Sequence, residues 1–250
     1  RALRIDEAAY GPDHLEVAWC VSNLGCVLVD QWDLTGARGC FERALRIDEA
    51  ALGPDHPNVA IRVHHLGRVL WAQGDLAGAR AHIERALRIN EAAYGPDHPN
   101  VASCLHSLGE VLREQGDLAG ARQCYERALR IDEAAYGPDH LEVATDVFNL
   151  GGVLQAQGDL EGARQCYERA LRIDEAAYGP DHLEVAIDAD KLGEVLQALG
   201  DLEGAQAHLE RVPPILEQSL PPDHLFLHIA RAELEDVLRK MGRATTGDQA

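Results

Sequence analysis

No run of 18 apolar residues occurs anywhere in the 250-residue chain, so the sequence offers no membrane-spanning helix. Positive charge is scarce: 23 Lys and Arg stand against 42 Asp and Glu, a formal charge of −19 at pH 7. Neutralisation of phosphates by Lys and Arg supplies most nucleic-acid affinity, so this deficit argues against nucleic acid. It argues against anionic membrane surfaces for the same reason. A basic or neutral protein partner is allowed. The six cysteines (Cys20, Cys26, Cys40, Cys104, Cys124 and Cys166) include no Cys-x-x-Cys pair. Cys40, Cys124 and Cys166 recur at one repeat position, too far apart for a bond that needs Cα atoms within about 7 Å. Free thiols and a reducing cytoplasm are expected. A phosphate loop, a Gly-x-Ser-x-Gly turn and a nucleophile with a partnered base are all missing, which points to a non-enzymatic protein without a cofactor. Strand signals are lacking too. The only Met is Met241 and none stands at position 1, so the chain reads as starting inside a longer protein.

What the chain does have is repetition. Gly-Pro-Asp-His begins at Gly11, Gly53, Gly95, Gly137 and Gly179, every 42 residues, with a worn Pro-Pro-Asp-His at Pro221. A fixed period in this range means a solenoid, a propeller or a stacked array. Residues 116–144 and 158–186 differ only at Ala119 against Glu161, which marks recent duplication. Whatever all copies share is first of all scaffold, so function is sought where they differ.

One repeat reads as two antiparallel helices. Gly53-Pro54-Asp55 is punctuation: Gly closes the preceding helix, Pro cannot continue it, and Asp55 is expected to cap the next. A first helix is predicted over 57–73, with Val59, Ala60, Val63, Leu66, Val69 and Leu70 at helical spacing. Gly74-Asp75 ends it and caps a second helix, Leu76–Tyr94, whose inner side is Leu76, Ala79, Ile83, Ala86, Leu87 and Ile89. Arg80, Glu84 and Arg88 form an exposed i,i+4 ladder worth a few tenths of a kcal/mol per pair. Neither helix buries its apolar face alone, so neighbouring units must stack into one continuous core. The period divides the chain into a remnant second helix (1–10), five repeats (11–220), a terminal capping helix (221–242, helical near 225–241) and a flexible tail (243–250). Pro213-Pro214 interrupts the fifth long helix.

Small residues identify the subtype. Leu-Gly recurs at Leu24-Gly25, Leu66-Gly67, Leu108-Gly109, Leu150-Gly151 and Leu192-Gly193. Twelve residues past each Gly stand Ala37, Ala79, Ala121, Ala163 and Ala205. Seven further come Ala44, Ala86, Ala128 and Ala170, then Val212. Between them sit Phe41, Ile83, Tyr125, Tyr167 and Leu209. This order resembles the tetratricopeptide repeat, whose Leu-Gly, Ala, aromatic and Ala positions let two helices approach closely. HEAT and armadillo repeats lack it. The period departs from the usual one of about 34 residues, and Glu49 and its equivalents replace the family's closing Pro. The longer repeat is similar to the kinesin light chain type, and to arrays in bacterial signalling NTPases and transcription regulators. The resemblance implies an all-α, right-handed superhelical α-solenoid of stacked antiparallel helix pairs.

Catalytic and metal readings fail on spacing. His14, His56, His98, His140, His182 and His224 belong to loops 42 residues apart that cannot converge on one ion; each has a loop or cap role. His64, His65 and His106, with Cys104 nearby, fall short of the convergent ligands zinc requires. Pairs such as Asp48-Glu49 recur at Asp6-Glu7, Asp132-Glu133 and Asp174-Glu175, but adjacent helical residues point apart and form no acid/base pair. They sit near a helix C-terminus, where negative charge is unfavourable, and contact with the next unit is their only evident role.

The first helix is where the copies differ. The resemblance implies that it lines a concave groove, with ligand-facing positions that carry over one by one. The second position reads Trp19, Ile61, Ser103, Thr145, Ile187, and the fifth Ser22, His64, His106, Phe148, Asp190. The sixth reads Asn23, His65, Ser107, Asn149, Lys191, and the ninth Cys26, Arg68, Glu110, Gly152, Glu194. The twelfth reads Val29, Trp71, Arg113, Gln155, Gln197. Such a mixture suits a peptide groove, where aromatic and Arg anchors dominate affinity; drift on a solvated face is the other reading. A ligand is expected to place an apolar anchor toward Trp19 and Trp71 and a basic end toward Asp190. Protein binding is thus the leading expectation. A regulatory array within a larger NTPase or transcription regulator is the alternative, and end-to-end self-association through the open half-helix at 1–10 a third.

Overall fold

The computed structural model describes residues 2–247, with side chains described for residues 3–242. No strand occurs among them. A short α1 (Ala2–Tyr10) precedes five helix pairs: α2 (Leu15–Asp30) with α3 (Leu34–Leu52), α4 (Pro57–Ala72) with α5 (Leu76–Tyr94), α6 (Pro99–Glu114) with α7 (Leu118–Tyr136), α8 (Leu141–Ala156) with α9 (Leu160–Tyr178), and α10 (Leu183–Leu199) with α11 (Leu202–Leu209) and α12 (Val212–Ser219). A final α13 spans Leu225–Gly247. The chain divides into two compact units, Arg1–Ile131 and Asp132–Ala250. Among the described residues no helix is long and apolar enough to cross a membrane.

The caps correct one expectation. Asp55 does not cap α4; His56 does, its Nδ1 accepting from the Asn58 N–H at 3.1 Å. His14, His98, His140, His182 and His224 do the same two residues on. Tyr94 stacks on His98 at 4.5 Å, and Tyr10, Tyr136 and Tyr178 stack likewise on the cap histidines that follow them. Second helices are capped by Asp as expected: Asp75 accepts from the Gly78 N–H at 2.9 Å.

The Leu-Gly positions set how closely each pair packs. A Cβ on Gly109 would lie 2.8 Å from Tyr125 Cζ, and one on Gly151 2.9 Å from Tyr167 Cε1. Gly67 meets Ile83 the same way, and Gly193 meets Leu209. These partners are buried, so they have nowhere to retreat. Gly39, exposed on α3, has open space around it. Gly39→Ala is therefore expected to stabilise by about 0.5–1 kcal/mol through helix propensity. Gly109→Ala gains the same propensity yet should lose about 1–2 kcal/mol net to overpacking. Circular-dichroism melts of both variants check this, and equal shifts would refute the close helix approach.

Between repeats, the two acids of each Asp-Glu pair separate. Glu49 reaches Arg85 of the following pair at 2.7 Å. Glu7–Arg43, Glu91–Arg127, Glu133–Arg169 and Glu175–Arg211 repeat the contact. Arg43, Arg85, Arg127 and Arg169 also donate to the loop carbonyls of Pro12, Pro54, Pro96 and Pro138. The Asp, or Asn90 in one copy, turns inward against the next first helix fourteen residues on, and here the copies diverge. Asp6 accepts from the Cys20 thiol at 2.8 Å. Asp48 accepts from Arg62 Nε at 2.9 Å, and Arg62 Nη1 also donates to Ser22 Oγ at 2.7 Å. Asn90 donates to Cys104 Sγ at 3.4 Å. In the second unit the place is taken by acids on both sides, Asp132 with Asp146 and Asp174 with Asp188, all buried.

One turn breaks the pattern. Gly74, Gly116, Gly158 and Gly200 follow or close first helices with φ of 81–88°, but Trp32 holds the equivalent place at φ 60°. Left-handed backbone costs a side-chain-bearing residue roughly 1–2 kcal/mol. The end of the chain also departs from expectation. Glu210 and Arg211 separate α11 from α12 where Pro213-Pro214 was expected to interrupt the helix. The helix of the capping segment runs on to Gly247 rather than stopping near 241, because Gly242 does not adopt a helix-ending left-handed conformation. Residues 248–250 of the expected tail lie outside the described ones. α13 buries Leu227, Ala230 and Val237, and its other face mixes Arg231, Glu235 and Arg239 with exposed Leu225, Ile229 and Leu238.

Candidate functional site

In the first unit, the variable positions of α2, α4 and α6 fall into three groups: packed, exposed and cavity-lining. Some are consumed by packing. Ser22 is buried beneath Arg62. Ser107 is buried and lies 2.9 Å from His64 Nε2. His106 packs edge-on against Tyr125 and lies 3.9 Å from Glu110. Asn23 and Arg113 are exposed, and Trp19 overhangs the Arg62–Asp48 pair in a shallow cleft.

Five further positions collect around a cavity of about 310 Å³ between α2 and α4. Cys26 and Val29 line it from α2, and His65, Arg68 and Trp71 from α4. Asp30, Trp32, Leu34, Phe41, Val69 and Ala72 complete the wall. Trp71 is half-buried, and its indole N–H has no hydrogen-bond partner. The His65 ring lies 5.0 Å from Phe41. Burial, helped by Arg62 and Arg68, lowers His65 to about 4. Burial first, then His65, Arg68 and His106, lowers His64 to about 4. Both rings are neutral at pH 7, so Arg68 and Asp30 are the charged side chains of this cavity. Sequence reasoning missed Trp32. The signal was there: aligning the copies shows Gln-Trp-Asp where the others have Gly before the capping Asp.

In the second unit, Phe148 packs edge-on against Tyr167 at 5.4 Å and remains half-buried. Asn149 bonds back to the Thr145 carbonyl. Gln155 accepts from the Tyr167 hydroxyl at 3.1 Å and reaches Glu194 at 3.5 Å. Asp190 is only 2% exposed, so the basic ligand end expected there meets no open carboxylate. Instead Asp190, Glu194 and Glu233 gather with oxygens within 4.8 Å of one another. Lys191 is hydrogen-bonded to Glu194 and lies 3.7 Å from Asp190. Burial and the neighbouring Asp190 push Glu233 up to about 8. An ammonium and a retained proton thus meet the charge of this group. Glu233 was invisible to the repeat pattern because it comes from α13, outside the five pairs.

All six cysteines are free thiols. Burial pushes Cys104 and Cys124 up to about 11, so neither is a reactive thiolate at pH 7.

The tetratricopeptide repeat family matches residues 27–89, 60–134, 108–146 and 141–218. No curated protein matches the sequence significantly. Among solved structures, the nearly identical tetratricopeptide-like repeats of a Podosopora anserina kinesin light chain-like protein superpose with a TM-score of 0.70 at 20% identity, covering 83% of this chain and 99% of that one. BtubC (BKLC) from P. vanneervenii superposes with a TM-score of 0.75 at 21% identity, covering 89% of each chain. The apo form of RapI reaches 0.70 at 15% identity, over 81% of this chain and 71% of that one. At such identities the likeness speaks for the fold alone. With the matched segments running through residues 27–218, the chain belongs to the tetratricopeptide repeat family, with a repeat of 42 residues.

Proposed function

We propose that this protein is a non-enzymatic interaction module that receives an extended or helical segment of a partner protein on the variable faces of its first helices. One observation carries the reading. Five positions that vary between copies, Cys26, Val29, His65, Arg68 and Trp71, converge on a single cavity. Drift on a solvated face would scatter differences without building a concave, mainly apolar surface, which is the character of binding pockets.

The test uses aromatic residues of each unit, Trp71 and Phe148. Both lie off the Leu-Gly-Ala stripe, so Trp71→Ala and Phe148→Ala should keep the helical spectrum. Losing a buried aromatic anchor costs roughly 2 kcal/mol or more, about a thirtyfold loss of affinity. Partner capture by the intact protein should weaken accordingly. Two folded variants that hold the partner at wild-type strength would move the search to the loops or to the outer helices.

A further inference from the structure

We propose that the cavity between α2 and α4 is an anchor subsite for one aromatic or large aliphatic side chain of the partner segment, held between the Trp32 and Trp71 indoles. The inference deepens the partner-binding reading and rests on it.

Trp32 is the starting point. Four sister turns hold Gly in the left-handed conformation, and here a bulky residue is forced into it at φ 60°. Trp32 is 77% exposed, so burial within the chain gives little back. Strained backbone that persists without local compensation clusters at ligand sites. Here the strained residue stands at the wall of the cavity, on the same side of the molecule as Trp71 and Phe41.

Size and charge select the occupant. A cavity of about 310 Å³ lies at the lower end of ligand-pocket volumes, which run from about 300 to 1,000 Å³. It suits one large side chain rather than a whole cofactor. Asp30 and Arg68 supply one charge of each sign. A lone cation would meet Arg68 as a like charge, and a lone anion would meet Asp30. An uncharged side chain avoids both conflicts, and the peptide groups beside it match the pair, N–H toward the carboxylate and C=O toward the guanidinium.

Three tryptophans make the test selective. The full chain is labelled with 5-fluorotryptophan, and its resonances are assigned with single Trp→Phe variants. N-acetyltryptophanamide and N-acetylleucinamide are the probes; N-acetyllysinamide and N-acetylglycinamide are the controls. The Trp32 and Trp71 signals should shift saturably at millimolar probe while Trp19 stays still, and the controls should move nothing. Trp32→Gly restores the sister residue. It should melt at a higher temperature and shift Trp71 at least tenfold less. Unmoved Trp32 and Trp71 signals, equal binding of the lysine amide, or full binding by Trp32→Gly would each overturn the proposal. The amide titration involves no partner, so its failure is distinct from wild-type partner capture by the Trp71→Ala and Phe148→Ala variants.

Discussion

Arg62→Ala should destabilise the first unit by about 3–5 kcal/mol, the usual cost of stripping one partner from a buried ion pair. Asp48 and the Arg62 side chain are 2% and 10% exposed, so water cannot take over the role of the guanidinium. Ser22 would lose its partner as well. One repeat later, Asn90 and Cys104 fill the same place without charge. The double exchange Asp48→Asn with Arg62→Cys transplants that solution and should recover all but about 1 kcal/mol, because removing both charges leaves none buried alone. Urea unfolding of the three proteins decides the matter. A loss below about 1 kcal/mol for Arg62→Ala would mean that the pair behaves as a solvated surface bridge.

The second large effect is a loss of stability with rising pH. Burial, then the charge of Asp174, pushes Asp188 from 3.8 up to about 8. Glu184 and Glu175 push the same way, while His182 acts oppositely on Asp174. Burial and Asp190 raise Glu233 from 4.5 to about 8, with Glu194 adding to the shift and Lys191 opposing it. Both folded-state values lie above the unfolded ones. Their stabilising protons are therefore fully present below about pH 4 and are lost as pH rises through about 8. Between those limits stability should fall by about 1.4 kcal/mol per pH unit for each extra proton the folded state holds. Asp188→Asn keeps a donor for Asp174 and removes one titration. It should match the parent near pH 4 and exceed it at pH 9, which separates this site from general repulsion in a chain of charge −19. Unfolding curves at pH 5, 7 and 9 that coincide would refute the shared-proton reading.

The helix pairs were legible in the sequence because a period is read by counting, and Leu-Gly against Ala is a packing rule with one solution. The loops were legible only in part. Asp55 and His56 both sit where a cap could form, and only the backbone shows which side chain turns back on the helix. The role of Asp48-Glu49 depended on partners fourteen and 36 residues away in the next pair, a relation local periodicity does not reveal. The candidate face divided for a similar reason. Ser22, Ser107 and Asp190 occupy ligand positions by number, yet each neighbour offered a group that drew them inward. Trp32 stands in a turn between helices, and its significance lies in a backbone angle that residue spacing does not encode.

The arginine clamps give the array a direction. Arg43, Arg85, Arg127 and Arg169 each reach back to the loop and the Glu that precede their own helix pair, and none reaches forward to the next loop. Each clamped loop is therefore fastened by the pair that follows it. Loop and following pair thus form one unit of stability: a chain shortened from the C-terminal side loses the fastening of its last loop together with the pair that supplies it.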